Sequence, residues 1–284
     1  GKVVEETIWC PFHGFRFDVT GDCTHTSYGT PPSPKCEVFS YPIFESHGVI
    51  GVWFDSEDRP PRWEIPVVDM EGWTELGTHM WELDSHPQET TENSVDVGHL
   101  SVVHKYVHVD TLRPMTSEGA YLNARYTMSR KADFLFSSGK VVRSEFDVHA
   151  YGLGYSFVEV EIDEMKLETR QFVLPTPTDE GKMELRIAMC MKFKGGLKAL
   201  HPALRFLPKG LATRIVLSKS TKAYAHDVYQ DFDVWQNKVY VHPPALAKGD
   251  GPVIQYRKWA HQFYTEHEGE EKPRRRAKVV EAKG

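Results

Sequence analysis

Cys10 and His13 stand three residues apart in the run Trp9-Cys10-Pro11-Phe12-His13-Gly14-Phe15-Arg16-Phe17-Asp18. A thiolate and an imidazole are ligands for iron or zinc, but two ligands do not hold a metal, and a second pair is needed. A second constellation, Asn93-Ser94-Val95-Asp96-Val97-Gly98-His99-Leu100-Ser101-Val102-Val103-His104, reads N-x-x-D-x-x-H-x-x-x-x-H. Two neutral imidazoles and one carboxylate make the facial triad of non-haem Fe(II) sites, which leaves coordination positions open for O2. The carboxylate has to come from elsewhere in the chain. Asp227 and Asp231, four apart in Ala225-His226-Asp227-Val228-Tyr229-Gln230-Asp231-Phe232-Asp233-Val234-Trp235, share a helix face, and either can reach inward. Asp233 points away from them.

The five-residue histidine spacing constrains the backbone. On an ideal helix His99 and His104 lie about 140° apart, so both face one metal only if the helix breaks or bulges between them, a feature common at functional sites. Gly98 weakens the helix there by about 1 kcal/mol relative to Ala. His108, four residues after His104, is a rival partner, and with 14 histidines in the chain a polar helix with stray imidazoles is the plainer reading. For Cys10 and His13 the plainer reading is a buried thiol beside a turn.

These residues must be carried by a scaffold of modest size. The chain has 284 residues, 40% hydrophobic and 26% charged, with net charge −6. That is room for one large or two smaller globular domains, without the basic footprint of a nucleic-acid partner. The four cysteines, Cys10, Cys23, Cys36 and Cys190, form no disulfide framework, which points to a reducing, cytoplasmic setting. Membrane attachment through a preceding segment is left open, because the chain starts without Met.

Residues 1–66 read as short strands cut by turns, with a hairpin turn at His47-Gly48 and a boundary near Pro60-Pro61 and Pro66. Beyond it, Ala120–Lys131, Val141–Ile162, Leu167–Leu174 and Met183–Phe193 are rich in β-branched and aromatic residues. A helical insert spans Thr91–Val107, capped by Thr91 or Asn93. Leu211–Val239 contains neither Pro nor Gly and reads as one long helix. The charge-dense end, 267–284, reads as a disordered tail.

Taken together, W-C-P-F-H-G-F-R-F-D, N-S-V-D-V-G-H-L-S-V-V-H and Q-D-F-D-V-W resemble the α subunit of Rieske non-haem iron oxygenases. The segment 231–264 and Ser85-His86-Pro87-Gln88-Glu89 resemble the branch containing 3-ketosteroid 9α-hydroxylase and the cholesterol 7-desaturases. The resemblance implies an α+β chain: the C-terminal part of a Rieske domain (1–66), then a helix-grip catalytic domain (67–266), a curved antiparallel sheet with a long C-terminal helix. It implies that Cys10 and His13 bind a 2Fe–2S cluster, that His99, His104 and Asp231 bind a mononuclear Fe(II), and that Asp96 is the carboxylate linking the two centres. A Rieske cluster takes two Cys and two His. Cys23-Thr24-His25 has the C-x-H spacing of the other loop but follows Cys10 rather than preceding it, and Gly21-Asp22 reads as a hairpin turn. The chain therefore reads as N-terminally truncated, with an incomplete cluster ligand set. The implied partners are a ferredoxin or flavin reductase, O2, an apolar steroid-like substrate to be hydroxylated or desaturated, and two further copies in a trimer. The rival readings are a Rieske electron carrier, for which the residues after Pro66 are superfluous, and a lipid-binding helix-grip protein with vestigial ligands.

Overall fold

The computed structural model describes residues 1–131, 141–197, 200 and 202–265. The tail expected to be disordered lies outside them. The chain forms two compact units, Gly1–Asp69 with Thr265, and Met70–Tyr264.

In the first unit β1 (Lys2–Val4), β2 (Thr7–Trp9), β3 (Arg16–Phe17) and β4 (Cys23–His25) form a four-stranded antiparallel sheet in chain order. A separate hairpin pairs β5 (Ile43–Ser46) with β6 (Val49–Val52). Its turn is His47-Gly48, with φ +55 and +74, the doubly left-handed geometry that matches strand twist in a two-residue hairpin. Cys10 and His13 occupy the turn between β2 and β3. The Cys10 N–H donates to the Phe15 carbonyl at 2.8 Å, and the Gly14 N–H to the Cys10 carbonyl at 3.0 Å.

The second unit is a seven-stranded antiparallel sheet: β7 (Gly77–Leu83), β13 (Lys182–Phe193), β12 (Leu167–Asp179), β11 (Tyr155–Ile162), β10 (Val141–Tyr151), β9 (Tyr121–Lys131) and β8 (Val107–Glu118). The expected run Val141–Ile162 is two strands, reversed at Gly152 with φ +65. The two edge strands, β7 and β8, are missing from the sequence reading: their apolar residues are sparse and most of their positions are exposed, so neither gives a clear period-2 signal.

A long helix, α3 (Lys209–Tyr229), lies against β7 and β13. A Cβ on Gly77 would stand 2.3 Å from Thr221 Oγ1, so the absent side chain lets helix and strand approach. Ala212, Val216 and Ser220, one turn apart, are buried, and the first two pack with Val160, Ile162 and Met191. The expected uninterrupted helix over Leu211–Val239 is wrong. α3 ends at Tyr229, Gln230 and Asp231 form a tightened turn, and α4 (Phe232–Asn237) follows. There the N–H groups of Gln230 and Asp231 reach back three residues, to the carbonyls of Asp227 and Val228, at 3.2 Å each. Neither Pro nor Gly causes this. Phe232 and Trp235 are buried beneath α4, and Phe232 packs edge-on against Trp81 at 5.0 Å. Tertiary packing has overridden local propensity.

The insert is likewise two helices, α1 (Pro87–Asn93) and α2 (Gly98–Val102). Its cap is neither Thr91 nor Asn93. His86 caps α1 through Nδ1, which accepts from the Gln88 N–H at 3.1 Å, and Pro87 opens the first turn, where a missing N–H costs nothing. Thr91 is buried inside α1, its hydroxyl bonded to the Pro87 carbonyl at 3.2 Å and to Tyr256 at 2.7 Å. The Tyr256 side chain comes from α5 (Val253–Ala260). No helix among the described residues is long and apolar enough to cross a membrane.

Candidate metal centre

Three backbone discontinuities deliver one ligand-bearing side chain each. His99 sits in α2, which starts where the Asp96 side chain accepts the Gly98 N–H at 3.1 Å, an Asx turn. α2 stops at Val102, and Lys105 takes φ +59. The break expected between the two histidines is present, and it swings His104 back toward His99. The imidazole centroids are 5.1 Å apart at 77°. Asp231 sits in the break between α3 and α4.

The ligand atoms of His99, His104 and Asp231 all lie within 4.8 Å of one another. His104 Nε2 is 3.4 Å from Asp231 Oδ2. Each ring is fixed from its other nitrogen. His99 Nδ1 is 2.5 Å from the Asp96 carbonyl, and His104 Nδ1 is 3.1 Å from Gln230 Oε1. Carbonyl oxygens only accept, so both rings carry their proton on Nδ1 when neutral and turn the Nε2 lone pair toward the cluster, the arrangement that orients metal-binding histidines. Asn93 Nδ2 lies between, 3.2 Å from His99 Nε2 and donating to Asp231 Oδ2 at 3.3 Å. Burial pushes the His99 imidazole below its usual pKa, outweighing the opposing charges of Asp231 and Asp96. Burial also works against protonation of His104, but the hydrogen bond and charge of Asp231, with Gln230 and Asp227, carry it above the usual value. Asp231 itself is 5% exposed.

The donor set, two imidazole nitrogens and one carboxylate with lone pairs converging, fits a non-haem Fe(II) ion with open positions. The structure separates the alternatives around it. Asp227 is engaged by Arg130, Nη1 to Oδ2 at 2.6 Å, while Asp233 and His108 are exposed. The half-exposed Asp96 carboxylate comes 3.8 Å from His99 Nδ1, farther than its own backbone carbonyl. Asn93 and Gln230 complete the site. Both stand inside the motifs, Asn93 opening the N-x-x-D run and Gln230 preceding Asp231, so position relative to the ligands was their signal.

Cys10 and His13 do not meet the same test. His13 is exposed, with Phe12 at 3.8 Å and Phe15 at 6.1 Å between ring centroids. Among the described residues no third ligand gathers with them, so one sulfur and one nitrogen stand where a cluster requires four ligands. Cys23 and His25 lie on β4, and the nearby thiol partner of Cys23 is Cys36, whose pKa is raised by burial and by Cys23.

A cleft opens beyond His104. Tyr106, whose ring is 6.3 Å from His104, borders two small adjoining lobes of about 40 Å³ each, which share Tyr106, Arg130, Ile162 and Gln171. Sheet residues form one wall and α3 the other. Phe157 on β11 and Phe172 on β12 are buried and line neither lobe.

Comparison with known proteins bears on this site. The family model of the 3-ketosteroid 9alpha-hydroxylase C-terminal domain matches residues 52–264. A cholesterol 7-desaturase of Caenorhabditis elegans is 28% identical, over 94% of this chain and 64% of its own length. The oxygenase component of a 3-ketosteroid-9-alpha-monooxygenase of Rhodococcus rhodochrous is 25% identical, over 94% of this chain and 67% of its own length. The chain thus spans about two thirds of such relatives. Among solved structures, the fold is similar to NdmA of Pseudomonas putida CBB5 with caffeine (TM-score 0.64, 18% identity, 92% of this chain and 73% of that one). It is also similar to dicamba monooxygenase bound to dicamba (TM-score 0.59, 17% identity, 93% and 81%).

Proposed function

The chain belongs to the 3-ketosteroid 9alpha-hydroxylase C-terminal domain family, and from that premise we propose that it is the catalytic part of a terminal oxygenase that hydroxylates or desaturates a steroid-like substrate. The observation that carries this reading is the convergence of His99, His104 and Asp231 beside a cleft. A lipid-binding protein has no use for two largely enclosed imidazoles whose lone pairs meet a buried carboxylate. The relatives at 28% and 25% identity act, by their names, on cholesterol and on 3-ketosteroids, which supports a fused-ring apolar substrate.

In this reading His99, His104 and Asp231 hold Fe(II), which when bound supplies O2 activation. The chain's own residues do the rest. The Asp96 carbonyl and Gln230 fix the two imidazole tautomers, and Asn93 orients the Asp231 carboxylate. The Asp96 carboxylate, accessible and near His99 Nδ1, acts as a positioning residue that couples His99 to the electron-donating centre. The cleft walls bury the substrate against His104 and exclude water. Cys10 and His13 would supply two of the four ligands of a 2Fe–2S cluster, which when bound would take electrons from a ferredoxin or flavin reductase, and the assembly is a homotrimer.

The test is conversion of 3-ketosteroids and 3-hydroxysterols by the Fe(II)-loaded protein with O2, ferredoxin and reductase, read by mass spectrometry. Gain of one oxygen identifies hydroxylation and loss of two hydrogens identifies desaturation. An iron-loaded, reduced protein that converts no steroid contradicts the proposal. Asp96→Ala is expected to keep iron at the triad while turnover falls severely, and normal turnover in that variant removes Asp96 from the mechanism.

A further inference from the structure

Among the described residues lining the cleft, Ser220 carries a buried polar atom that no protein partner explains. Ser220 lies on the α3 face with Ala223 and Asp227, three and seven residues on, a spacing that keeps all three on one side of the helix. Its side chain is 1% exposed and its Oγ has no hydrogen-bond partner. A buried serine in a helix ordinarily returns its hydroxyl to the carbonyl one turn back; this one does not. Polar neighbours in the cleft are satisfied. Arg130 is bonded to Asp227 at 2.6 Å, Gln171 donates to Thr169 Oγ1 at 3.2 Å, and the Tyr224 hydroxyl donates to the Phe172 carbonyl at 3.1 Å. Leaving a buried hydroxyl unpaired is costly, and in a native structure it calls for a partner that comes and goes.

Position says which end of a ligand it meets. Ser220 precedes Asp227 by seven residues, about 10 Å along the helix axis. Asp227 precedes the ligand Asp231 by about one helical turn, so Ser220 marks the end of the cleft away from the triad. The walls between are largely apolar, with Ile162, Leu167, Met189 and Met191. That lining matches the chemistry of an elongated apolar body with a single oxygen at the far end.

Resting on the reading that the substrate occupies this cleft, we infer that Ser220 is a specificity-determining residue that hydrogen-bonds a keto or hydroxyl oxygen of the substrate, with the Gln171 side chain beside it. A hydroxyl both donates and accepts, so it serves either substituent. A site built around an otherwise unpaired polar group rejects the analogue lacking that oxygen.

Calorimetric titration of the iron-loaded protein tests this with three steroids of one ring skeleton, bearing a ketone, a hydroxyl or only hydrogens at the same carbon. Wild type is expected to bind the better oxygenated steroid about tenfold more tightly than the deoxygenated one. Ser220→Ala should abolish most of that preference by weakening the oxygenated steroid alone, and Ser220→Thr should restore it. Without steroid, Ser220→Ala should melt at a higher temperature than wild type, since it deletes an unpaired hydroxyl. A purely structural serine would give the opposite shift. Equal weakening of all three steroids in Ser220→Ala, or no preference in wild type, overturns the assignment. Binding of no steroid by a protein that holds its iron also overturns it, and leaves the metal reading standing. Absence of discrimination in wild type that still converts steroid removes the Ser220 assignment alone.

Discussion

Two places in this chain carry the residues that the sequence marks as metal ligands, and they differ in how those residues are held. On the turn between β2 and β3, Cys10 and His13 are neighbours because they are three residues apart, and the His13 ring is exposed. At the triad, His99, His104 and Asp231 are neighbours because α2 ends early and α3 breaks, and each imidazole is fixed from its Nδ1 side. Sequence proximity makes a pair of ligands. A metal site needs convergence from separate elements and control of which nitrogen faces the metal.

The scaffolds behind the two places should respond to mutation on different scales. Glu92 in α1, next to Asn93, is bonded by Arg257 at 2.8 Å and by Lys238 at 2.8 Å, with its side chain 6% exposed. Glu92→Ala takes the carboxylate from the buried Arg257, while Lys238 keeps Glu89, and should cost about 3 kcal/mol in thermal or denaturant unfolding. Glu5→Ala, which removes the exposed partner of Arg16 at 3.4 Å, should cost under about 1 kcal/mol. Comparable losses would show that the second unit is no better braced than the first. The same carboxylate sets an acid limit. Burial alone would raise the Glu92 pKa, but Arg257 and Lys238 outweigh it and hold it below the usual value. A depressed folded pKa means its stabilisation is complete above the unfolded value of about 4.3 and is lost as pH falls through the folded one. Melting of wild type should therefore decline below about pH 4.3 with a component that Glu92→Gln lacks.

A smaller effect is expected beside the ligands. Gln230→Leu keeps all three ligands but frees the His104 ring, and should weaken iron binding about 10–100-fold in a metal titration, against no change for His13→Ala. The smallest is at Lys105, whose φ of +59 is strained for an L residue. Lys105→Gly should raise stability by about 1 kcal/mol with iron affinity unaltered. A loss of affinity there would make Lys105 part of the site.

The sequence revealed the ligands better than the architecture that aims them. Five central strands announced themselves through β-branched and aromatic runs, and the 140° misfit between His99 and His104 foretold a break that α2 indeed makes. The break at Gln230-Asp231 was hidden, because nothing local disfavours helix there; it exists because Phe232 and Trp235 are buried beside Trp81. The cap of α1 was misread although Pro87 marked its first turn, since histidine is an unusual cap. Asn93 and Gln230 were within the quoted motifs, yet their hydrogen bonds to His99, Asp231 and His104 appear only once the elements are folded.

The most direct measurement is Fe(II) stoichiometry by anaerobic titration of wild type, Cys10→Ser and Asp231→Ala, with each variant's fold checked by circular dichroism. Wild type and Cys10→Ser should each take up one mononuclear Fe(II) per chain, and folded Asp231→Ala none. Iron bound equally well by Asp231→Ala, or refused by folded wild type, contradicts the assignment of His99, His104 and Asp231 as one metal centre.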